Sequence, residues 1–201
     1  MKTQVRLAVV ILAAGLSRRM GSTDKLIMEF LGQPVFMRAL ALAKGLKPFC
    51  CVVVTNTAEI RRAAEEAGFA VTENPHAASG IASSIVCGIR ALPDRYDQVL
   101  FLNADQPLLR LEVVRRIVAA GQSADCIFVP RCGGEPKSPC LFPVRFCAEL
   151  EQLSGDKGGR QVYRCHPEEV RFIDFMEPED FFDIDTQEDL EEALNSRRNG
   201  I

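Results

Sequence analysis

Apolar positions along the chain alternate between two rhythms. Residues 5–12 read as a strand covered on both faces, apolar at every position but Arg6. Residues 51–55, 98–102 and 126–130 read as further strands, and 70–72 as a short one. Helical patterns lie between them. Residues 35–44 are good helix formers, with Pro34 suited to a first helical position. Residues 58–67 have Thr57 as a cap and Gly68 as a stop. Pro93 ends a helix over 83–92, and Gly121 ends one over 112–120. The pattern then loosens. Gly133, Gly134 and Pro136 predict a turn, 139–142 a strand, 145–153 and 160–163 helices, and 169–175 a strand. Thr186 with Asp189 gives a capping-type start to a closing helix over 187–195. Repeated strand–helix units predict an α/β fold with an open, mostly parallel sheet. In such sheets ligands sit beyond the carboxyl ends of the strands, near a switch in strand order.

The 201 residues suffice for one sizeable α/β domain. A composition of 47% hydrophobic and 25% charged residues can bury a core. The net charge of −3 lacks the basic excess of non-specific nucleic-acid binding, so an anionic substrate would need local groups to hold it. Eight cysteines without a CxxC pair predict reduced thiols in apolar surroundings rather than a zinc or redox site, with Cys132, beside two glycines, as the most exposed. Lys2 and Arg6 before the apolar run 7–14 loosely mimic a signal peptide. The run is short and leads into a glycine loop, so a buried first strand explains it better. No apolar stretch is long enough to span a membrane, and the cytoplasm is the expected location.

The segment 12–25, LAAGLSRRMGSTDK, directly follows the first strand. Gly15 and Gly21 let backbone N–H groups approach phosphate oxygens, and Arg18, Arg19 and Lys25 neutralise charge. Its spacing fits neither a Walker A loop nor GxGxxG. On composition alone, a phosphate loop and a basic surface turn are equally good readings.

The wording resembles the pattern LAAGxSxRMGxxK of the MobA-like NTP transferase family, the molybdenum-cofactor nucleotidyltransferases. Further motifs follow in family order: NPHAASGIASSIVCGI at 74–89, LNADQP at 102–107, GDKGGR at 155–160 and DIDTQEDL at 183–190. The resemblance spans most of the chain. It implies a Rossmann-like three-layer sandwich of the nucleotide-diphospho-sugar transferase type, as a single domain over 1–201. It also implies a Mg²⁺-dependent transfer of a nucleoside monophosphate from an NTP to a molybdopterin-type phosphate, with a molybdenum hydroxylase as recipient of the product. Two details resemble the cytidylyltransferase branch and point to CTP. Ala13-Ala14-Gly15 stands where the guanylyltransferase branch has Ala-Gly-Gly, and Asp105-Gln106-Pro107 where it has Asp-Met-Pro. Lys137 and Ser138 depart from the family, standing in its usual Gly and His/Asn places, so the acceptor differs if this turn contacts it.

The chemistry assigns roles to these positions. Transfer to a phosphate already ionised at neutral pH needs no strong base, so His76 and His166 read as structural or solvated. It needs alignment and neutralisation of anions, by Mg²⁺ and cations. Asp105, after a buried strand, is the metal candidate, against the reading of a turn aspartate. Asp185 is the second carboxylate, with Asp183 as its rival. Lys25 contacts the phosphates and stabilises the transition state. Of Arg18 and Arg19 one should be solvated, and by resemblance Arg19 is the recurring one. Leu12, Ala13, Ala14, Gly15, Ser17 and Gly21 complete the nucleotide loop by resemblance. Gly80, Ser83 and Ser84 open a helix that suits a phosphate or ribose, one serine acting as a cap. Asn74 helps hold base or sugar. Gly155, Asp156, Gly159 and Arg160 lie by resemblance on the acceptor side, against the reading of a surface turn. The rivals are a guanylyltransferase, a sugar- or polyol-phosphate cytidylyltransferase, and a non-catalytic carrier for a molybdenum hydroxylase.

Overall fold

The computed structural model describes residues 5–15 and 24–199. The chain begins with β1 (Leu7–Leu12), a small hairpin of β2 (Glu29–Phe30) and β3 (Gln33–Pro34), and α1 (Met37–Leu46). It continues through β4 (Cys50–Val54), α2 (Ala58–Glu66), β5 (Ala70–Thr72) and α3 (Ile81–Arg90). Next come β6 (Gln98–Asn103), α4 (Leu111–Gly121), β7 (Ile127–Cys132), β8 (Glu135–Pro136) and β9 (Cys140–Pro143). The last elements are α5 (Cys147–Leu150), α6 (Arg160–Cys165), β10 (Val170–Phe175) and α7 (Gln187–Asn199).

The main sheet has the order β10-β7-β9-β6-β1-β4-β5, with β8 added on β7. β1 pairs in parallel with both β4 and β6, and β4–β5 and β7–β10 are also parallel. β9 runs antiparallel between β6 and β7. The chain therefore winds from β1 out to β5, then crosses back to lay β6 on the other side of β1. Strand order reverses there, and the carboxyl ends of β1 and β6 open a crevice.

Side-chain alternation along the central strands builds two cores, one on each face of the sheet. Val9 and Ile11 of β1 pack with buried residues of α1, α2, α4 and α7. Ala8 and Val10 pack with those of α3, α5 and α6. The result is the expected three-layer α/β sandwich, its sheet mostly parallel. Among the described residues no helix is long and apolar enough to cross a membrane.

Three local expectations are corrected. Pro34 belongs to β3 rather than to a helix start, because the 26–28 segment captures the chain after it. Val35 N–H donates to the Met28 carbonyl at 3.0 Å and Phe36 N–H to the Leu26 carbonyl at 3.1 Å. The helix expected over 145–153 shrinks to the single turn of α5 after a 3₁₀ turn at Val144–Phe146. Cys132 is buried, because β7 is flanked there by Glu135 of β8 and Phe175 of β10, whereas Cys165 is exposed. All eight thiols are free.

Gly88 marks the close approach of α3 to the sheet. A methyl group there would collide with Val10 Cγ1 and come within 3.2 Å of Val54 Cγ2. Both valines are buried and cannot yield without disturbing β1 and β4. Gly88→Val should cost about 3 kcal/mol by overpacking, read as a lower denaturation midpoint. An unchanged midpoint would mean that α3 can lift from the sheet freely.

Candidate active site

The crevice is built from backbone first. Beyond β1, Ala13 N–H donates to the Val54 carbonyl at 2.9 Å, while Ala104 N–H donates to the Leu12 carbonyl at 3.1 Å. These bonds extend the pairing past the strand ends and fix where Asp105 emerges. Ile184 N–H donates to the Asp105 carbonyl at 2.9 Å, which ties the segment before α7 to the turn after β6. That segment is anchored on both sides. Upstream, buried Asp180 accepts two bonds from Arg110, each of 2.7 Å. Downstream, Asp189 Oδ2 accepts from Asp185 N–H at 2.9 Å and Thr186 N–H at 2.7 Å, the capping geometry expected at α7.

Lys25 is positioned by its own turn. Asp24 accepts from Leu26 N–H at 3.0 Å and from the Thr57 hydroxyl at 2.8 Å. Thr57 therefore lacks the side-chain cap bond to α2 that its spacing suggested; it joins α2 to the Lys25 turn instead. Lys25 is only 9% exposed. Its Nζ donates to Asp105 Oδ2 at 2.7 Å and to Asp185 Oδ1 at 2.9 Å. Burial acts to lower its pKa, but the charges and hydrogen bonds of Asp105 and Asp185 outweigh it and hold the ammonium above its usual range.

Asp183 sits beside this cluster with one face open to solvent. Desolvation on its enclosed side, then the neighbouring charge of Asp105, push its carboxyl up to about 6, against a Gln106 hydrogen bond and the charge of Lys25. Asp105 Oδ1 is buried and accepts no hydrogen bond among the described residues. Two converging carboxylates, one with a buried oxygen lacking a donor, form a hard-oxygen donor set that fits Mg²⁺. Among the described residues no group of three or more His, Cys, Asp or Glu could hold a metal unaided. Mg²⁺ does not require one, since it takes one or two carboxylates together with substrate phosphates.

A cavity of about 540 Å³ opens here, lined by Leu12, Ala14, Gly15, Lys25, Asp105 and Asp185 on one side. Gly80, Ile81, Ser84 and Asp156 line the other. Ala13 is buried beneath, its N–H committed to β4. Ser17, Arg18, Arg19 and Gly21 lie outside the described residues. Asn74 is fully buried behind the wall. Its amide donates to Ser83 Oγ at 2.8 Å and Ser84 Oγ at 2.9 Å, and its Oδ1 accepts from His76 N–H at 2.9 Å. Ser83 Oγ turns back to the Gly80 carbonyl at 2.8 Å. Neither serine is the cap expected from the sequence: α3 starts at Ile81 with Gly80 at its N-cap and no side-chain cap bond, so both lie inside the first turn, and Ser84 is the serine that reaches the cavity.

A second cavity of about 320 Å³ shares Leu12, Ile81 and Asn103 with the first. Gly159 and Arg160 line it, as do Gln106, Asp183, Lys137 and Ser138. Gly155 and Asp156 lie at the junction, where the Gly155 carbonyl accepts from Ala82 N–H at 3.2 Å. Asn103 and the 3₁₀ turn Ala77–Ser79 also line the first cavity and were not singled out by sequence. Asn103 had a signal, as the last strand residue before the acidic turn. Neither histidine lines these two cavities; His166 pairs with Glu149 at 2.8 Å.

A mostly parallel sheet with a carboxylate pair and a lysine at its switch point defines an α/β protein of the nucleotidyltransferase type. Residues 9–170 match the MobA-like NTP transferase domain, and the chain belongs to that family. A molybdenum cofactor guanylyltransferase of Shewanella piezotolerans is 26% identical over 204 residues, covering 98% of each chain. The bifunctional protein GlmU of Anaeromyxobacter dehalogenans is 36% identical over 180 residues, 80% of this chain and 36% of that protein. GlmU of Cutibacterium acnes is 33% identical over 115 residues, 55% of this chain and 28% of that one. The chain thus spans about a third or less of the length of these GlmU relatives. Among solved structures, Rv0371c of Mycobacterium tuberculosis has a TM-score of 0.82 at 25% identity, covering 96% of this chain and 100% of that one. The same protein has been solved in complex with manganese, with a TM-score of 0.77. A CMP:2-keto-3-deoxy-manno-octonic acid synthetase complexed with CTP shares the fold, with a TM-score of 0.76 at 12% identity, covering 98% of this chain and 100% of that one.

Gly80 is the residue on which the junction of the cavities turns. Its φ is +94°, and a methyl group there would strike the Gly155 carbonyl group and the Asp156 carboxylate. Gly80→Ala should displace the 155 turn and lower stability by about 1–3 kcal/mol. A crystal structure of the variant with an unmoved turn and a wild-type melting midpoint would contradict this.

Proposed function

We propose that the chain transfers CMP from CTP to the terminal phosphate of molybdopterin or the molybdenum cofactor, releasing pyrophosphate, with Mg²⁺ as cofactor. The observation that carries this reading is Lys25 bridging Asp105 and Asp185 at the ends of β1 and β6. An acceptor phosphate oxygen forms a bond to the α-phosphorus. The bond from that phosphorus to the bridging oxygen breaks, and pyrophosphate leaves with its electron pair. The acceptor is already an anion, so alignment and charge neutralisation carry the catalysis.

Asp105 and Asp185 would hold the Mg²⁺, which when bound supplies positive charge against the phosphoryl oxygens. Lys25 turns its ammonium to the phosphates, joined by Arg19 and the rest of the 16–23 loop as the resemblance implies. Ala14 and Gly15 bring main chain close to the triphosphate. Ser84 and the start of α3 take ribose or phosphate, and Asn74 holds both serines in place. Gly155, Asp156, Gly159 and Arg160 stand on the acceptor side. The product would pass to a molybdenum hydroxylase in the cytoplasm, and residues 1–201 would act as one domain.

Ala13-Ala14-Gly15 and Asp105-Gln106-Pro107 favour CTP. One finding favours GTP, namely the full-length match to a relative named molybdenum cofactor guanylyltransferase. Thermal shift separates them. CTP with Mg²⁺ should stabilise the fold most, by roughly 2.7 kcal/mol at about 100 times Kd. A larger shift with GTP assigns the guanylyl reaction.

Pyrophosphate release separates an enzyme from a carrier. Lys25→Ala should lower kcat roughly 10²–10³-fold while weakening NTP binding less. Lys25→Arg should rescue only in part, because a planar guanidinium places its donors differently. Equal kcat in wild type and Lys25→Ala would remove this lysine from the mechanism.

A further inference from the structure

The second cavity differs in chemistry from the first. Where the first is centred on Asp105 and Asp185 bridged by Lys25, the second is lined by two cations, Lys137 and Arg160, with the Asp183 carboxylate bonded to Gln106 beside them. Neither forms an ion pair with a described carboxylate. Arginines 6, 61, 90, 110, 131 and 145, by contrast, are each paired.

Lys137 is aimed by its backbone. The Gly133-Gly134 turn, with φ of +59° and +84°, folds β8 onto β7. Lys137 N–H then donates to the Pro130 carbonyl at 2.8 Å, which fixes the residue at the cavity wall. The floor is apolar, with Phe101 and Phe142 in edge-to-face contact at 6.0 Å.

An independent observation also points to a ligand. Gln106 is only 3% exposed and lines this cavity, yet its Oε1 accepts no hydrogen bond among the described residues. Its amide bonds the Asp183 carboxylate, which leaves the carbonyl oxygen as the group without a donor. A buried acceptor left without a donor costs about 1–3 kcal/mol.

We infer that Lys137, together with Arg160, forms a subsite for the phosphate of a phosphate-monoester acceptor, with the acceptor's apolar face on Phe101, which Phe142 backs from the core, and a donor of the acceptor meeting Gln106. Lys137 is then a specificity-determining residue for the acceptor. This rests on the transfer reading above, in which an acceptor must lie beside the nucleotide. The shared border of the two cavities at Leu12, Ile81 and Asn103 gives the acceptor phosphate a direct path to the α-phosphorus.

The test uses the full chain saturated with a CTP analogue carrying a non-hydrolysable α,β linkage, plus Mg²⁺, and titrates inorganic phosphate by calorimetry. Wild type should bind phosphate with the first cavity filled. Lys137→Gln and Arg160→Gln should each weaken phosphate binding about tenfold, as expected for loss of a charge-assisted bond. Analogue affinity should stay unchanged in both, and Lys44→Gln, on the exposed side of α1, should match wild type throughout. The inference is overturned if Lys137→Gln binds phosphate as wild type does, or if wild type binds none. Failure of wild type to bind any NTP analogue overturns the transfer reading instead. The phosphate comparison repeated without nucleotide then still decides the role of Lys137.

Discussion

A buried ammonium held between two carboxylates is the contact on which the rest of the structure depends. Lys25, Asp105 and Asp185 come from three distant parts of the chain and meet within 2.7 and 2.9 Å. A lysine so enclosed must be paired, and removing one partner leaves an uncompensated charge. The surrounding structure sets the three in place. Parallel pairing of β1 with β6 brings the end of β1 beside the turn that carries Asp105. The Asp24–Thr57 bond holds the Lys25 turn, and the Ile184–Asp105 backbone bond brings in Asp185. Arg110–Asp180 and Thr186–Asp189 fix that segment from either side. Such an arrangement contributes preorganisation more than stability.

Around this cluster the molecule offers two adjoining cavities of different character. The first has carboxylates and small residues, suited to a metal-bound polyphosphate. The second has cations above an aromatic floor. They meet where α3 begins, and Gly80 permits that meeting because no Cβ separates it from Gly155. The proposed transfer needs two substrates side by side with their charges managed separately, and the two cavities would divide them in this way.

Much of this was legible in the sequence, because the governing signals are local. Continuous apolar runs gave the buried strands, and their alternation with helices gave the layers. The acid turn after β6 was readable because Asp105 directly follows a strand. Other features were not readable because they depend on distant partners. β9 lies antiparallel between β6 and β7, which no local pattern specifies. Thr57 looked like a helix cap and instead bonds Asp24, a choice made by tertiary approach. Cys132 looked exposed beside its glycines, but strand pairing buries it. Asn74 was read as a ligand contact, whereas burial and hydrogen bonds to Asn56, His76, Ser83 and Ser84 make it a support for the two serines.

If Asp105 and Asp185 hold the metal and Lys25 serves the phosphates, nucleotide and divalent cation must bind cooperatively. Without the cation, the carboxylates repel the triphosphate and keep the ammonium to themselves. The most direct measurement is CTP affinity across a Mg²⁺ titration, for wild type and for Asp105→Asn. The account predicts that Mg²⁺ tightens CTP binding to wild type at least tenfold, a coupling of about 1.4 kcal/mol, and that Asp105→Asn loses most of this gain. CTP binding that is indifferent to Mg²⁺ in wild type, or an equal gain in Asp105→Asn, would contradict it.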